Sequence, residues 1–161
     1  MTKTISRFEI QEYLDTTPSG STRTWSQINK GVSSLSTNWG PKIETEHYIG
    51  DKTASKRFDA LEPEIPFDIN DSDDAVAVFI HGLIWAEKVG SDTETTYMSV
   101  ITSAAPVSGA YPAKTRKVQV SYSKSGGDAG KPYPHSVALL SMSDAVLGTF
   151  NPTTKAFVPT P

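Results

Sequence analysis

Three histidines, His47, His81 and His135, are the residues of this sequence most suited to metal binding or proton transfer. No pair of them has the HExxH spacing, or a comparable one, that places two imidazoles on one face of a helix. His81 lies beside an apolar pattern of helical period, so we expect a partly buried structural role for it. The sequence predicts neither a metal site nor a cofactor.

Acidic residues cluster at two places. Asp71, Asp73 and Asp74 resemble part of a calcium-binding loop, but the glycine and the terminal glutamate of that motif are missing. We therefore expect them to cap a helix. Glu44 and Glu46 stand at i and i+2 of a strand pattern, so both point to the same side. No apolar pocket adjoins them in the sequence, and we expect a solvated strand face.

The sequence contains neither a typical nucleophile motif nor a typical phosphate-binding loop. The glycine-rich residues 126–130 neither follow a hydrophobic strand nor open a helix, as a phosphate-binding loop would. No serine stands in a GxSxG turn. Cysteine is absent, which excludes thiolate catalysis and disulfides. The sequence therefore predicts no catalytic residue, and a protein that is not an enzyme.

The composition of the chain narrows its class further. With 15 Lys+Arg and 18 Asp+Glu the formal net charge is 15 − 18 = −3, which argues against tight sequence-independent DNA binding. Serine and threonine number 19 and 18, so 37 of 161 residues carry a small hydroxyl group. Segment 1–14 has no continuous apolar run, so we expect neither a signal peptide nor a membrane span. We expect one domain over residues 1–161.

Alternating apolar and polar residues predict a chain made mainly of strands. In the first of them Phe8, Ile10 and Glu12 share one face. The last two long strands are predicted to form a hairpin at Ser143 and Asp144. The predicted strands are 7–14, 22–28, 42–49, 95–102, 115–122, 136–142, 145–150 and 155–158.

One helix is predicted after residues 70–74, which offer several N-caps and a negative charge at the positive end of the helix dipole. Gly90 is the predicted residue just past its C-terminus. Its apolar stripe, expected to pack on the sheets, consists of Val76, Phe79, Ile80 and Leu83. Together these elements predict two packed antiparallel sheets, a sandwich or partly closed barrel, flanked by one helix.

Residues 38–68 hold few side chains of core size and many charges. Pro63 and Pro66 each remove a backbone donor, so residues 61–69 are predicted to form at most an edge strand. Ordering such a long loop or hairpin costs conformational entropy, and the segment has too few core-sized side chains to offset that cost. We expect it to pack on a partner, the alternative being a merely flexible loop.

Several stretches together resemble the major tail tube protein of long-tailed, siphovirus-type bacteriophages. Residues 25–35 and 42–51 are similar to the opening "W..I..GI..L … E..YI" of that family. The acidic run before residues 75–80 resembles the family's entry into its single helix. Residues 148–157 resemble its C-terminal "GTF … F" hairpin. The order and spacing of these stretches agree over most of the chain.

The resemblance implies a structural virion protein, made in the host cytoplasm, with no membrane partner. Hexameric rings would stack into a hollow tube around the tape-measure protein. Tail terminator and baseplate or distal tail proteins would bind its ends, and double-stranded DNA would pass through without tight binding. A loop near residues 47–62 would bridge to the next ring, with contact candidates Tyr48, Asp51, Lys52, Lys56, Arg57 and Asp59. Glu44 and Glu46 are the candidates for the lumen wall.

Two alternatives remain open on sequence. One is a monomeric β-sandwich binding module of lectin or adhesin type, in which Trp25, Trp39 and Trp85 would contact sugars. The other is the inner tube of a contractile tail, a bacteriocin or a secretion system.

Overall fold

The computed structural model describes residues 4–161, so the first three residues of segment 1–14 lie outside it. The strands are β1 (Ile10–Asp15), β2 (Trp25–Gln27), β3 (Pro41–Glu46), β4 (Ser55–Leu61), β5 (Glu64–Asn70), β6 (Glu94–Ile101), β7 (Tyr111–Ser125), β8 (Pro134–Ser141), β9 (Val146–Asn151) and β10 (Ala156–Pro159). The helix α1 is Ala75–Trp85, and short 3₁₀ turns span Arg7–Glu9 and Gly90–Thr93. Among residues 4–161, no helix has the length and apolar character needed to span a membrane.

Within residues 4–161, eight strands form one continuous antiparallel sheet. Its order is β10–β9–β7–β6–β1–β2, with β8 also paired to β7 and β5 paired to β8. Strand β7 is long enough to pair with two strands along one side. Its residues 111–115 pair with β9 and its residues 118–125 pair with β8. Strand β6 runs along the other side of β7. Strands β3 and β4 form a separate two-stranded sheet.

Two hydrophobic cores lie on opposite faces of β1, β6 and β7. Neighbouring residues on a strand point to opposite faces, and Leu14 and Tyr97 belong to one core while Tyr13 and Met98 belong to the other. The first core also contains α1, β5 and β8, and the second contains Phe150 of β9. The predicted fold class, mainly β with antiparallel sheets and one helix, is confirmed.

Helix α1 begins as the sequence predicts. The Asp74 side chain accepts a hydrogen bond from the Val76 backbone N–H at 3.3 Å, which satisfies one of the free donors of the first turn. Val76 and Ile80 are fully buried and Leu83 nearly so, whereas Phe79 is half-buried against the same core. The helix is thereby fixed on one face of the sheet.

The C-terminus of α1 differs from the prediction, and Gly90 does not cap it. Glu87 occupies the left-handed position with φ 50°. Its N–H donates to the Ile84 oxygen at 3.0 Å, and the Lys88 N–H donates to the Leu83 oxygen at 2.9 Å. This pair of bonds is a Schellman motif built on a glutamate, which sequence rules assign to glycine or asparagine.

The first strand also begins later than predicted, and Phe8 does not face a core. Residues 7–9 form a 3₁₀ turn, in which the Ser6 N–H donates to Glu9 Oε2 at 2.8 Å, and Phe8 is 88% exposed. Strand β1 starts at Ile10, and its buried polar residues are Glu12 and Asp15. Arg7 Nη2 lies 2.6 Å from Glu12 Oε2 and neutralises that carboxylate.

The predicted hairpin at Ser143 and Asp144 is wrong. Strands β8 and β9 do not pair with each other, because both run antiparallel to β7 along the same side. The Met142 N–H donates to the Lys117 oxygen at 2.9 Å, and the Lys117 N–H donates to Ser143 Oγ at 3.1 Å. The segment between them is therefore an interruption in one long strand.

Candidate inter-subunit surface

The β3–β4 hairpin, residues 41–61, projects from the domain and is called the arm here. Every residue of β3 and β4 is exposed except the half-buried Glu46. No arm residue contributes to either hydrophobic core. A two-stranded hairpin is at best marginally stable in water, so the arm needs a surface to pack against. Downstream of it β5 returns to the core, where Ile65, Phe67 and Ile69 are buried.

One face of the arm is apolar. Ile43 lies directly opposite Phe58, and the next pair on that face is Thr45 and Lys56. Ile43 is 58% and Phe58 62% exposed, and Ile49 in the turn is fully exposed. The exposed apolar pair Ile43 and Phe58 is suited to contact with another molecule.

The opposite face of the arm is acidic. Arg57 lies opposite Glu44, with its Nη2 3.3 Å from Glu44 Oε2. Its Nη1 is 3.8 Å from Glu46 Oε1, and its Nε donates to Asp59 Oδ1 at 2.5 Å. Tyr48 donates to Glu46, a bond that raises the pKa of Tyr48. One guanidinium thus faces three carboxylates, and this face keeps a net negative charge.

The arm as a whole is electrically neutral. It holds Lys42, Lys52, Lys56 and Arg57 against Glu44, Glu46, Asp51 and Asp59, so its formal charge is 4 − 4 = 0. The sequence-predicted contact residues thus divide among the acidic face (Arg57, Asp59), the apolar face (Lys56) and the turn (Tyr48, Asp51, Lys52). A neutral arm with one apolar face can pack on a charged subunit without long-range repulsion.

The root of the arm is tightly constrained. The Glu62 N–H donates to the backbone oxygens of both Trp39 and Gly40 at 3.1 Å, and Asn38 exchanges two backbone bonds with Glu64 at 2.8 Å. Gly40 has φ 50°, and a Cβ there would lie 2.5 Å from the Glu62 oxygen. Lys42 and Glu62 form a further ion pair of 3.1 Å. The direction in which the arm leaves the domain is therefore set by backbone geometry.

Other exposed apolar residues were not anticipated from sequence. Val146 and Leu147 are adjacent on β9 and both exposed, and Val158 of the neighbouring strand β10 is exposed as well. Two consecutive apolar residues in a strand break the alternation of a half-solvated face. That break could have revealed the exposed residues. Because neighbours on a strand point to opposite faces, Leu147 but not Val146 shares a face with Val158, whose strand β10 forms an open edge of the sheet.

The three tryptophans do not form a sugar-binding platform. Trp25 is buried in the second core and packs edge-on against Phe150 at 6.4 Å between ring centroids. Trp39 lies under the Lys114 ammonium at 4.9 Å, and Trp85 stacks on His81. They thus occupy three separate environments, which disfavours the lectin interpretation.

The sequence matches no protein-family model. It also matches no curated protein. Solved structures, in contrast, match across nearly the whole chain. The tail of an empty GTA particle, computed with helical refinement and C6 symmetry, superposes with a TM-score of 0.58 at 10% identity, over 88% of this chain and 97% of that one.

Two further matches come from injection systems. The PVC sheath/tube terminator of an extracellular contractile injection system, in its extended state, gives a TM-score of 0.52 at 9% identity, covering 91% of this chain and 97% of that one. The anti-feeding prophage baseplate, symmetrised six-fold, gives 0.52 at 8% identity, covering 94% and 98%. The fold is similar to phage tail-tube folds. At these identities the likeness concerns the fold alone.

Proposed function

We propose that this protein is the subunit of a phage tail tube of the long-tailed, siphovirus type. Copies form hexameric rings, and the rings stack into a hollow tube around the tape-measure protein. Terminator and baseplate or distal tail proteins close its ends, and the mature tube is part of the virion. Its role is structural and not enzymatic. The tail-tube fold and the C6 symmetry of the GTA tail support this proposal.

The observation that carries the proposal is the arm. A hairpin that buries none of its own side chains in the domain, and yet presents Ile43 and Phe58 to solvent, is favourable only when a neighbour covers it. The rigid root at Gly40 fixes the direction of the arm. We assign the arm to the contact between successive rings.

The charge of the subunit suits a channel for DNA. A channel wall lined by Lys and Arg would bind the phosphates of DNA. This protein instead has a net charge of −3, and the acidic face of its arm includes Glu44 and Glu46. We assign these two carboxylates to the lumen. The same net charge makes subunits repel one another, so association depends on contact burial and is favoured by salt.

Negative-stain microscopy of the purified, untagged protein tests the proposal. Over a range of protein and salt concentrations we expect six-fold rings or tubes, with longer tubes at higher salt. Light scattering that finds only monomers over both ranges would contradict it. Isolated small particles in the micrographs would instead support the alternative of a monomeric binding module.

A second candidate is the inner tube of a contractile system. It is favoured by one observation, the match to the PVC sheath/tube terminator. Co-expression with a sheath protein from the same gene neighbourhood distinguishes the two. A sheathed tube supports this candidate, and bare tubes in the presence of soluble sheath protein support the non-contractile tail.

A further inference from the structure

Three side chains from distant parts of the sequence converge where α1 meets the sheet. Asp71 follows β5, His81 lies on α1 and His135 lies on β8. One ligand atom from each, a carboxylate oxygen and two imidazole nitrogens, lie within 4.8 Å of one another. Two histidines and a carboxylate form a ligand set that divalent transition metals prefer.

Among the described residues, the nitrogen atoms that point into this cluster find no hydrogen-bond partner. His135 is 1% exposed, and its Nε2 has no hydrogen-bond partner in the part of the chain that the structure describes. His81 Nδ1 lies 2.9 Å from Asp71 Oδ2 but also has no hydrogen-bond partner within residues 4–161. A buried unpaired polar atom costs free energy, so two such nitrogen atoms facing one carboxylate are placed to bind a cation.

The distances suit one metal ion. His135 Nε2 lies 4.0 Å and His81 Nδ1 2.9 Å from Asp71 Oδ2. Two ligands of a tetrahedral Zn²⁺, each about 2.0–2.2 Å from the ion, stand about 3.4 Å apart. The two separations differ from that spacing by about 0.5 and 0.6 Å.

The surroundings orient the ligands as an outer shell does in metal sites. Ser125 Oγ lies 2.8 Å from His135 Nδ1, so the other nitrogen of that ring is directed at the cluster. Trp85 stacks on His81 with an angle of 13° between the rings, and Tyr133 packs edge-on against His135. The Asp71 N–H donates to the Tyr133 oxygen at 2.8 Å, which holds the loop in place.

We propose that Asp71, His81 and His135 bind a divalent transition metal of the zinc class, which fastens α1 to the sheet. Three protein ligands leave one coordination position, and the exposed side of Asp71 opens it to solvent. Because the ligands come from the β5–α1 loop, α1 and β8, the ion adds a cross-link between the helix and a pair of hydrogen-bonded strands. The site is independent of the tube proposal.

Cobalt provides a direct test, since tetrahedral Co²⁺ absorbs visible light. Untagged, EDTA-treated wild-type protein is titrated with CoCl₂ and then with ZnSO₄. We expect one equivalent of Co²⁺ per chain, its displacement by Zn²⁺, and a higher melting temperature with Zn²⁺ than with EDTA. Asp71→Asn and His81→Ala change exposed or half-buried residues and should still fold, and each should weaken binding at least tenfold.

Two further variants make the result specific. His47→Ala removes the exposed histidine of the arm and should leave the affinity unchanged. Ser125→Ala removes only the outer-shell partner and should weaken binding by roughly 10- to 100-fold. Absence of binding at millimolar metal, or equal affinity in wild type, Asp71→Asn and His81→Ala, would overturn the proposal. Because His135 is buried, its part is followed in the wild-type protein by the NMR shift of its ring on addition of Zn²⁺.

Discussion

Arg57 lies directly across the arm from Glu44, and its guanidinium also contacts Glu46 and Asp59. The acidic face is therefore a network around one cation, and neither glutamate is an isolated charge. Exposed ion pairs of this kind contribute at most about 1 kcal/mol to stability. We therefore expect these charges to affect the interaction of the arm with its surroundings and not the folding of the protein.

The lumen assignment predicts an effect on DNA passage. Glu44→Gln with Glu46→Gln should assemble normally and slow DNA ejection slightly, and the corresponding double Lys variant should slow it more, because added cations bind phosphates. Triggered DNA release from variant particles measures this. Asp128→Lys, a change in an exposed loop, is the control. Ejection at wild-type rate in both double variants would exclude Glu44 and Glu46 from the lumen.

The apolar face of the arm predicts an effect on assembly alone. Ile43→Ser with Phe58→Ser should change the unfolding free energy of the monomer little, since both side chains are exposed. Burying each in a contact is worth about 1.5–3 kcal/mol, so the concentration needed for tubes should rise at least about tenfold. Light scattering against concentration measures this, with exposed Val107→Ser as the matched control. An unchanged threshold would mean that the arm is not a contact.

Two glycine-to-alanine substitutions should change the free energy of unfolding in opposite directions. Gly40→Ala places a Cβ 2.5 Å from the Glu62 oxygen at φ 50°, so we expect destabilisation by more than about 1 kcal/mol. A Cβ at Gly82 meets nothing within 4 Å, so Gly82→Ala should stabilise α1 by about 0.5–1 kcal/mol. Urea unfolding of both variants measures the difference. If Gly40→Ala were neutral, the root of the arm would not be constrained as described.

Tyr97 predicts how stability depends on alkaline pH. Burial, and then the Glu12 carboxylate beside it, raise the pKa of Tyr97 far above its usual value near 10. The folded state therefore keeps a proton that the unfolded chain loses above about pH 10, so stability is full below that pH and falls as pH rises. Tyr97→Phe should make this fall less steep. Urea unfolding between pH 8 and pH 11 measures it, and an equally steep fall in the variant would contradict the assignment.

Helix α1 shows what the sequence alone can predict. Asp74 and the stripe of Val76, Ile80 and Leu83 are local signals, because capping and helical period depend on residues close in the chain. The left-handed Glu87 is different. A non-glycine residue adopts that conformation when the surrounding packing enforces it, and no local rule predicts where this happens.

The pairing of strands that are distant in the chain could not be predicted from the sequence, because it too depends on the rest of the fold. A polar interruption at Ser143 resembles a hairpin turn, and only the register of β7 shows that β8 and β9 continue in one direction. Likewise, Asp71 and His135 are far apart in the chain, and the contact arises because β5 pairs with β8. Spacing rules that detect metal ligands assume neighbours on one element.

Strand β7 has a consequence for how the protein resists mechanical force. Its 15 residues carry side chains of both cores and pair with β6, β8 and β9. Because the two cores share this strand, we expect the loss of one core to weaken the other. The amides of β7 should thus be among the slowest to exchange with deuterium, and tension on one part of the domain is carried along a single backbone to the other.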